Sequence, residues 1–187
     1  MFTLFIVAMI IAGTAYGLTG RADSVKNDMP VVTDFELDRY LGRWYEIARF
    51  NHRFERGLDY VTAEYLPNPD GTIKVINRGY NRETGRLHES LGKAKTTSVP
   101  GHLRVSFFLF FYSDYDILAI DPDYNWVLIG SSSPKYLWIM SRTPALPAEQ
   151  LSHILETARE LGYDITKLIY PAQTPQSAAL PKQPVLQ

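Results

Sequence analysis

Cysteine is absent from all 187 residues. That excludes disulfides, thiol catalysis, cysteine-held zinc and any lipid attached through a cysteine thiol. Charge of one sign is also scarce: 19 Lys and Arg against 20 Asp and Glu leave a net charge of −1, with no block of like charges, which argues against nucleic acid as a partner. Histidine is thin. His52, His88, His102 and His153 fall in different segments with no i, i+4 pair, so neither zinc nor haem is expected. No Walker loop, GxSxG or GxGxxG occurs, and no cofactor is expected. Long hydrophobic runs are confined to the N-terminus.

What is present is aromatic and apolar: 13% aromatic and 45% hydrophobic residues, enough for one packed domain of this length and too little chain for two. Residues 1–19, "MFTLFIVAMIIAGTAYGLT", hold an apolar run followed by small residues. The run is short for a membrane-spanning helix and reads as an export signal or an N-terminal anchor, although no Lys or Arg precedes it. A polar linker over 20–33 follows, and the chain closes on a Pro- and Gln-rich tail, 171–187, without periodicity and expected to be disordered.

Between them, residues 34–170 form the expected domain. "DFELDRYLG" (34–42) reads as a short helical turn capped by Asp34 and stopped by Gly42. Eight strands are expected at 43–50, 60–66, 72–80, 87–97, 102–108, 115–120, 126–131 and 136–142, separated by hairpin chemistry such as "PNPDG" and "NRETG". Eight evenly spaced strands predict an all-β, up-and-down antiparallel barrel. One amphipathic helix follows over 146–162, with Leu151, Ile154, Leu155, Ala158 and Leu161 on one stripe, a pattern for packing outside the barrel. A last short strand, 165–169, is expected beside the first.

Three motifs in this order, "GRWYEIARF" (42–50), "YDILAIDPDYNWVLI" (115–129) and "LWIMSRTP" (137–144), resemble the signature regions of the lipocalin family. "RYLGRWYEIARFNHRFERGLDYVTAEY" (39–65) is similar to the bacterial lipocalins related to apolipoprotein D. The resemblance implies an eight-stranded barrel holding a small hydrophobic ligand, a fatty acid or lysophospholipid, carried or stored at the bacterial envelope. It implies that Gly42, Trp44, Asp121 and Arg142 form the barrel-closing signature, with Arg142 laid across the Trp44 indole and Asp121 fixing the turn after its strand. Those bacterial relatives are typically anchored through a cysteine that this chain lacks, so a soluble periplasmic form without a lipid anchor is expected.

Period-two alternation from Trp44 places Glu46, Ala48 and Phe50 on its side of the first strand. Glu46 there is a buried charge that needs a partner. The expected ligand chamber is given volume by Ala48, Ala63, Ala94 and Ala119. Its walls are Phe50, Val61, Tyr65, Val75, Phe107, Ile117, Trp138 and Met140, with Asn77, Tyr112 and Tyr115 as polar groups. Arg53 and Arg56 in the first loop are placed to attract an anionic head group. The aromatic "FFLFFYS" (107–113) is expected at the open rim, where it would meet ligand, a membrane surface or a second copy of the chain. Catalysis is not expected; docking through the rim and a lipid-modifying enzyme remain as alternatives.

Overall fold

The computed structural model describes residues 30–108 and 111–173. The expected signal or anchor, most of the linker, the tail beyond 173 and Leu109 and Phe110 of the rim lie outside the described residues. The eight expected strands form: β1 (Gly42–Phe50), β2 (Leu58–Pro67), β3 (Ile73–Asn81), β4 (Leu87–Thr96), β5 (His102–Phe108), β6 (Phe111–Ile120), β7 (Trp126–Gly130) and β8 (Trp138–Ser141). Each pairs antiparallel with the next, and β1 pairs with both β2 and β8, so the sheet closes on itself. Closure removes the free edges that an open sheet would expose.

Side-chain oxygens fold the hairpins as the turn residues predict. Asp70 Oδ1 accepts from the Thr72 amide at 3.0 Å, and Asn81 Oδ1 accepts from the Glu83 and Thr84 amides at 3.0 and 2.8 Å. Asp121 Oδ2 accepts from the Asn125 amide at 3.0 Å and its side-chain Nδ2 at 2.8 Å, the local mimicry of a backbone turn that Asx residues provide.

The opening helical turn, α1 (Leu37–Tyr40), starts at Glu36, and no side chain caps it, so Asp34 does not take that role. The Glu36 amide is instead held by the Tyr124 hydroxyl at 2.7 Å. Gly42 does not stop the turn either; it opens β1 at φ +94°, a backbone state costly for any residue with a Cβ. Residues 30–41 thus run beneath the barrel, and Val32, Phe35, Leu37 and Leu41 pack against its interior cluster.

Helix α2 (Ala148–Glu160) lies outside. Ile154 and Ala158, both fully buried, join Ala48, Phe50, Leu128, Leu137 and Ile139 in a second cluster between helix and barrel. Gly162 ends it at φ +86°, donating to the Arg159 carbonyl at 2.9 Å, a glycine C-cap. The final strand is shorter than the sequence suggests. Ile165–Lys167 form a 3-10 turn capped by Asp164, and only β9 (Leu168–Ile169) pairs with β1, at Phe50 and Arg49.

The β1–β2 ladder runs from Gly42↔Tyr65 to Tyr45↔Thr62 and stops there. Above it the seam is bridged from the C-terminal side. The Gln173 side-chain amide donates to the Glu46 and Val61 carbonyls, both at 2.7 Å, and the Tyr60 amide donates to the Ala172 carbonyl at 2.7 Å.

Candidate ligand-binding site

The floor is built from the first and last signature motifs. Trp44 is completely buried and donates from Nε1 to the Tyr40 carbonyl at 2.8 Å. The Arg142 guanidinium lies 3.7 Å above the indole centroid. It donates to the carbonyls of Arg39 at 2.6 Å, Arg43 at 2.9 Å and Tyr40 at 3.1 Å. One cation therefore satisfies the unpaired carbonyls at the end of α1 and stacks on the ring below the chamber. Gly42 lies against it, where an added Cβ would stand 3.6 Å from Arg142 Nη1.

Above the floor the interior cluster brings together Ala63, Tyr65, Val75, Ala94, Leu103, Ile117, Ile129 and Met140, with Val105, Tyr115 and Trp138 packed on it. Of the lining residues expected from sequence, Ala63, Tyr65, Val75, Tyr115, Ile117, Trp138 and Met140 meet here. Val61 is buried one step further along β2, against Gly79. Asn77 sits opposite Ala63 in register, and its Oδ1 is buried with no hydrogen-bond partner. Phe107 covers Gly92 and remains 38% exposed, so it belongs to the rim and not to the buried wall.

A knot of phenols joins floor and wall: the Tyr115 hydroxyl is 2.5 Å from that of Tyr40 and 2.7 Å from that of Tyr65. Burial raises all three from the ordinary phenol value, Tyr40 and Tyr115 well above it. They stay neutral hydrogen-bonding groups.

Four expected lining positions are corrected. Ala48 and Phe50 face α2, not the interior, because β1 carries a bulge: Glu46 pairs with Met140, but Ala48 pairs with Ile139. One extra residue flips every side chain beyond it to the other face. A second bulge, between Ile117 and Ala119 in β6, moves Ala119 to the outer cluster in the same way. Tyr112 alternates with inward Tyr115 and Ser113 and lies outside, its ring under the Lys95 ammonium at 4.4 Å.

The same β1 bulge brings in a residue that period-two reading missed. Arg49, 1% exposed, turns to the interior side with Glu46, also 1% exposed, and donates from Nη1 to its Oε1. The loop between β1 and β2 adds Glu55, whose Oε2 stands 3.8 Å from Arg49 Nε and accepts from Trp138 Nε1 at 3.1 Å. Arg49 Nη2 donates to the Glu55 carbonyl at 2.5 Å. His52, beside Trp138 at 4.6 Å between centroids, completes the group. Burial, and then the Glu55 charge, push the Glu46 carboxyl up to about 8 against the pull of Arg49. Burial likewise raises Glu55. Burial and then Arg49 lower His52 to about 4, so it stays neutral. The signal for Arg49 was the unmet need of Glu46 for a partner. Arg53 and Arg56, the cations singled out instead, are both exposed.

The model of the family described as a lipocalin-like domain matches residues 35–173. The chain is 44% identical over 160 residues to "Outer membrane lipoprotein Blc" of Vibrio cholerae, covering 84% of this chain and 91% of the relative. It is 34% identical over 149 residues to mouse apolipoprotein D, covering 74% and 77%. Insecticyanin from the tobacco hornworm superposes with a TM-score of 0.65 at 21% identity, over 79% of this chain and 85% of that one, a likeness of fold alone. The chain belongs to the lipocalin family.

The expectation of a soluble periplasmic protein without a lipid anchor does not stand: the bacterial relatives at this level of identity are named outer membrane lipoproteins. The missing thiol bears on one chemistry of attachment and does not decide the compartment.

Proposed function

We propose that the barrel binds one single-chain amphiphile, a fatty acid or lysophospholipid, and carries or stores it at the cell envelope. The observation that carries this reading is the interior wall: apolar on every strand, relieved by Ala63 and Ala94, with the unpartnered Oδ1 of Asn77 set into it. An apolar chamber with a few convergent polar groups is the usual form of a small-ligand site. The names of the bacterial relatives support the envelope. Turnover is not part of the reading, since Glu46 and Glu55 are both committed to Arg49.

The energetics are consistent with carriage. About fifteen methylenes at about 0.8 kcal/mol each yield about 12 kcal/mol. Association and chain ordering cost at least about 4 kcal/mol, and the remaining 8 kcal/mol corresponds to roughly micromolar affinity. Titration of the purified protein with saturated chains of eight to eighteen carbons should show affinity rising with each methylene by a factor of about 4. A flat series would remove the carrier reading.

A second reading is favoured by one feature. Phe108 and Phe111 stack at 6.4 Å and remain 38% and 66% exposed. Docking of this rim on a membrane or a second copy of the chain would be cut by Phe111→Ser, measured by vesicle flotation and sedimentation, with ligand affinity spared.

A further inference from the structure

We infer that the barrel has a side entrance between β1 and β2, and that Gln173 is the clasp that holds it shut. The inference rests on the reading of the barrel as an amphiphile site and says where its ligand enters and leaves.

Past the Tyr45↔Thr62 pair, no residue of 46–50 pairs with one of 58–61 among the described residues. Along that stretch β1 is held by β8 and β9, and β2 by β3. Two side chains cross the gap. Toward the connecting loop, Arg49 Nη2 donates to the Leu58 carbonyl at 3.5 Å, the limit of a hydrogen bond. Nearer the ladder, Gln173 Nε2 donates to the Glu46 and Val61 carbonyls, both at 2.7 Å. A side-chain amide nitrogen carries two hydrogens, so Gln173 places one on each lip of the seam. Behind those lips lie the inward Glu46 side chain and Ala63 of the interior cluster.

The clasp has a built seat. It stands on the segment leaving β9, where the Ala172 amide donates to Asp59 Oδ1 at 3.0 Å and the Ala172 carbonyl accepts from the Tyr60 amide at 2.7 Å. Arg82 holds the Asp59 carboxylate in turn, with bonds of 2.7 and 2.8 Å. Tyr60 meets Ala172 from the left-handed region, at φ +54°, a conformation unfavourable for a residue with a Cβ and kept only where contacts over-determine it. Release of the segment therefore relieves Tyr60 and exchanges a few hydrogen bonds for bonds to water. A continuous ladder opens only with its sheet, whereas a side-chain clasp can open by itself.

The test is stopped-flow fluorescence of the full chain with hexadecanoate as the probe, read from Trp138 on the interior cluster. The wild type is compared with Gln173→Glu, which keeps the shape without the donors, and with Gln173→Ala. A gate on the ligand's path lowers the barrier in both directions when it is weakened. Association and dissociation rate constants should both rise at least about fivefold for two lost hydrogen bonds, leaving affinity within about twofold. Unchanged rates overturn the entrance and leave the carrier reading intact, and so does an affinity change without a matched change in both rates. A second readout needs neither ligand nor variant. In native-state hydrogen exchange of the wild type, corrected for intrinsic rates, the Tyr60 amide should exchange at least about tenfold faster than those of Ala63 and Glu64, which are paired on both sides. Exchange at Tyr60 as slow as at those two overturns the entrance. Failure of hexadecanoate to bind the wild type overturns the carrier reading and the entrance together.

Discussion

At Arg142 a single side chain joins two jobs that would otherwise need two residues. Its planar guanidinium stacks on Trp44 at 3.7 Å while its edge donates to the carbonyls of Arg39, Tyr40 and Arg43. A lysine ammonium is a point donor and cannot do both at once. Replacing Arg142 by Ala removes the stack and unsatisfies several carbonyls, and should cost about 2–4 kcal/mol. Arg142→Lys should recover less than half of that. Urea unfolding would measure both, and ligand affinity should change less than threefold, because the guanidinium is spent on the indole and the carbonyls of Arg39, Tyr40 and Arg43 at the floor.

Among the elements, β1 decides what the chamber is. Before its bulge the strand sends Trp44 and Glu46 inward; after it, Arg49 goes inward while Ala48 and Phe50 pass to the helix side. The two faces then have separable roles. Ile154→Ala, in the fully buried contact of α2 with the barrel, should cost about 2–4 kcal/mol through the cavity it leaves, with ligand affinity within threefold of wild type. Ala63→Phe on the inner face should do the reverse. Filling the chamber weakens ligand binding more than tenfold, while overpacking costs about 1–3 kcal/mol at most. Paired denaturation and ligand titrations of the two variants test that division, and equal effects on binding would refute it.

For the whole molecule the buried charges shape stability against pH. Glu46 ordinarily titrates near 4.5 and is pushed up to about 8 in the fold. Between those values the folded chain holds a proton that the unfolded chain has released, so raising the pH favours unfolding. His52 ordinarily titrates near 6.5 and is lowered to about 4. Below 6.5 the unfolded chain takes up a proton that the folded one refuses, so lowering the pH favours unfolding. From about 4.5 to 6.5 the slopes of Glu46 and His52 oppose each other, with Glu55, also raised by burial, acting on the side of Glu46. From 6.5 to 8 the His52 slope is gone, and Glu46 contributes at most about 1.4 kcal/mol per pH unit. The melting temperature should therefore be nearly level from pH 4.5 to 6.5 and fall toward pH 8. In Glu46→Gln the fall should disappear. A wild-type profile flat through pH 8 would show that Glu46 ionises as freely in the fold as in the unfolded chain.

The Trp44–Arg142 floor was implied by the resemblance of the motifs, whereas the strand count, the hairpin turns at Asp70, Asn81 and Asp121 and the outer helix were legible in the linear chain, because turn chemistry and hydrophobic period are local properties. So was the family, through three ordered motifs. Period-two alternation agrees with the interior cluster at Ala63, Tyr65 and Val75, where the pairing is regular. It failed at Ala48, Phe50 and Ala119, each lying just past a bulge. A bulge is a property of the pairing between two strands, and neither strand's residues announce it alone. Glu46 declared in sequence that it needed a counter-ion; only the closed barrel, by turning Arg49 inward and folding Glu55 over it, decided which residues would answer.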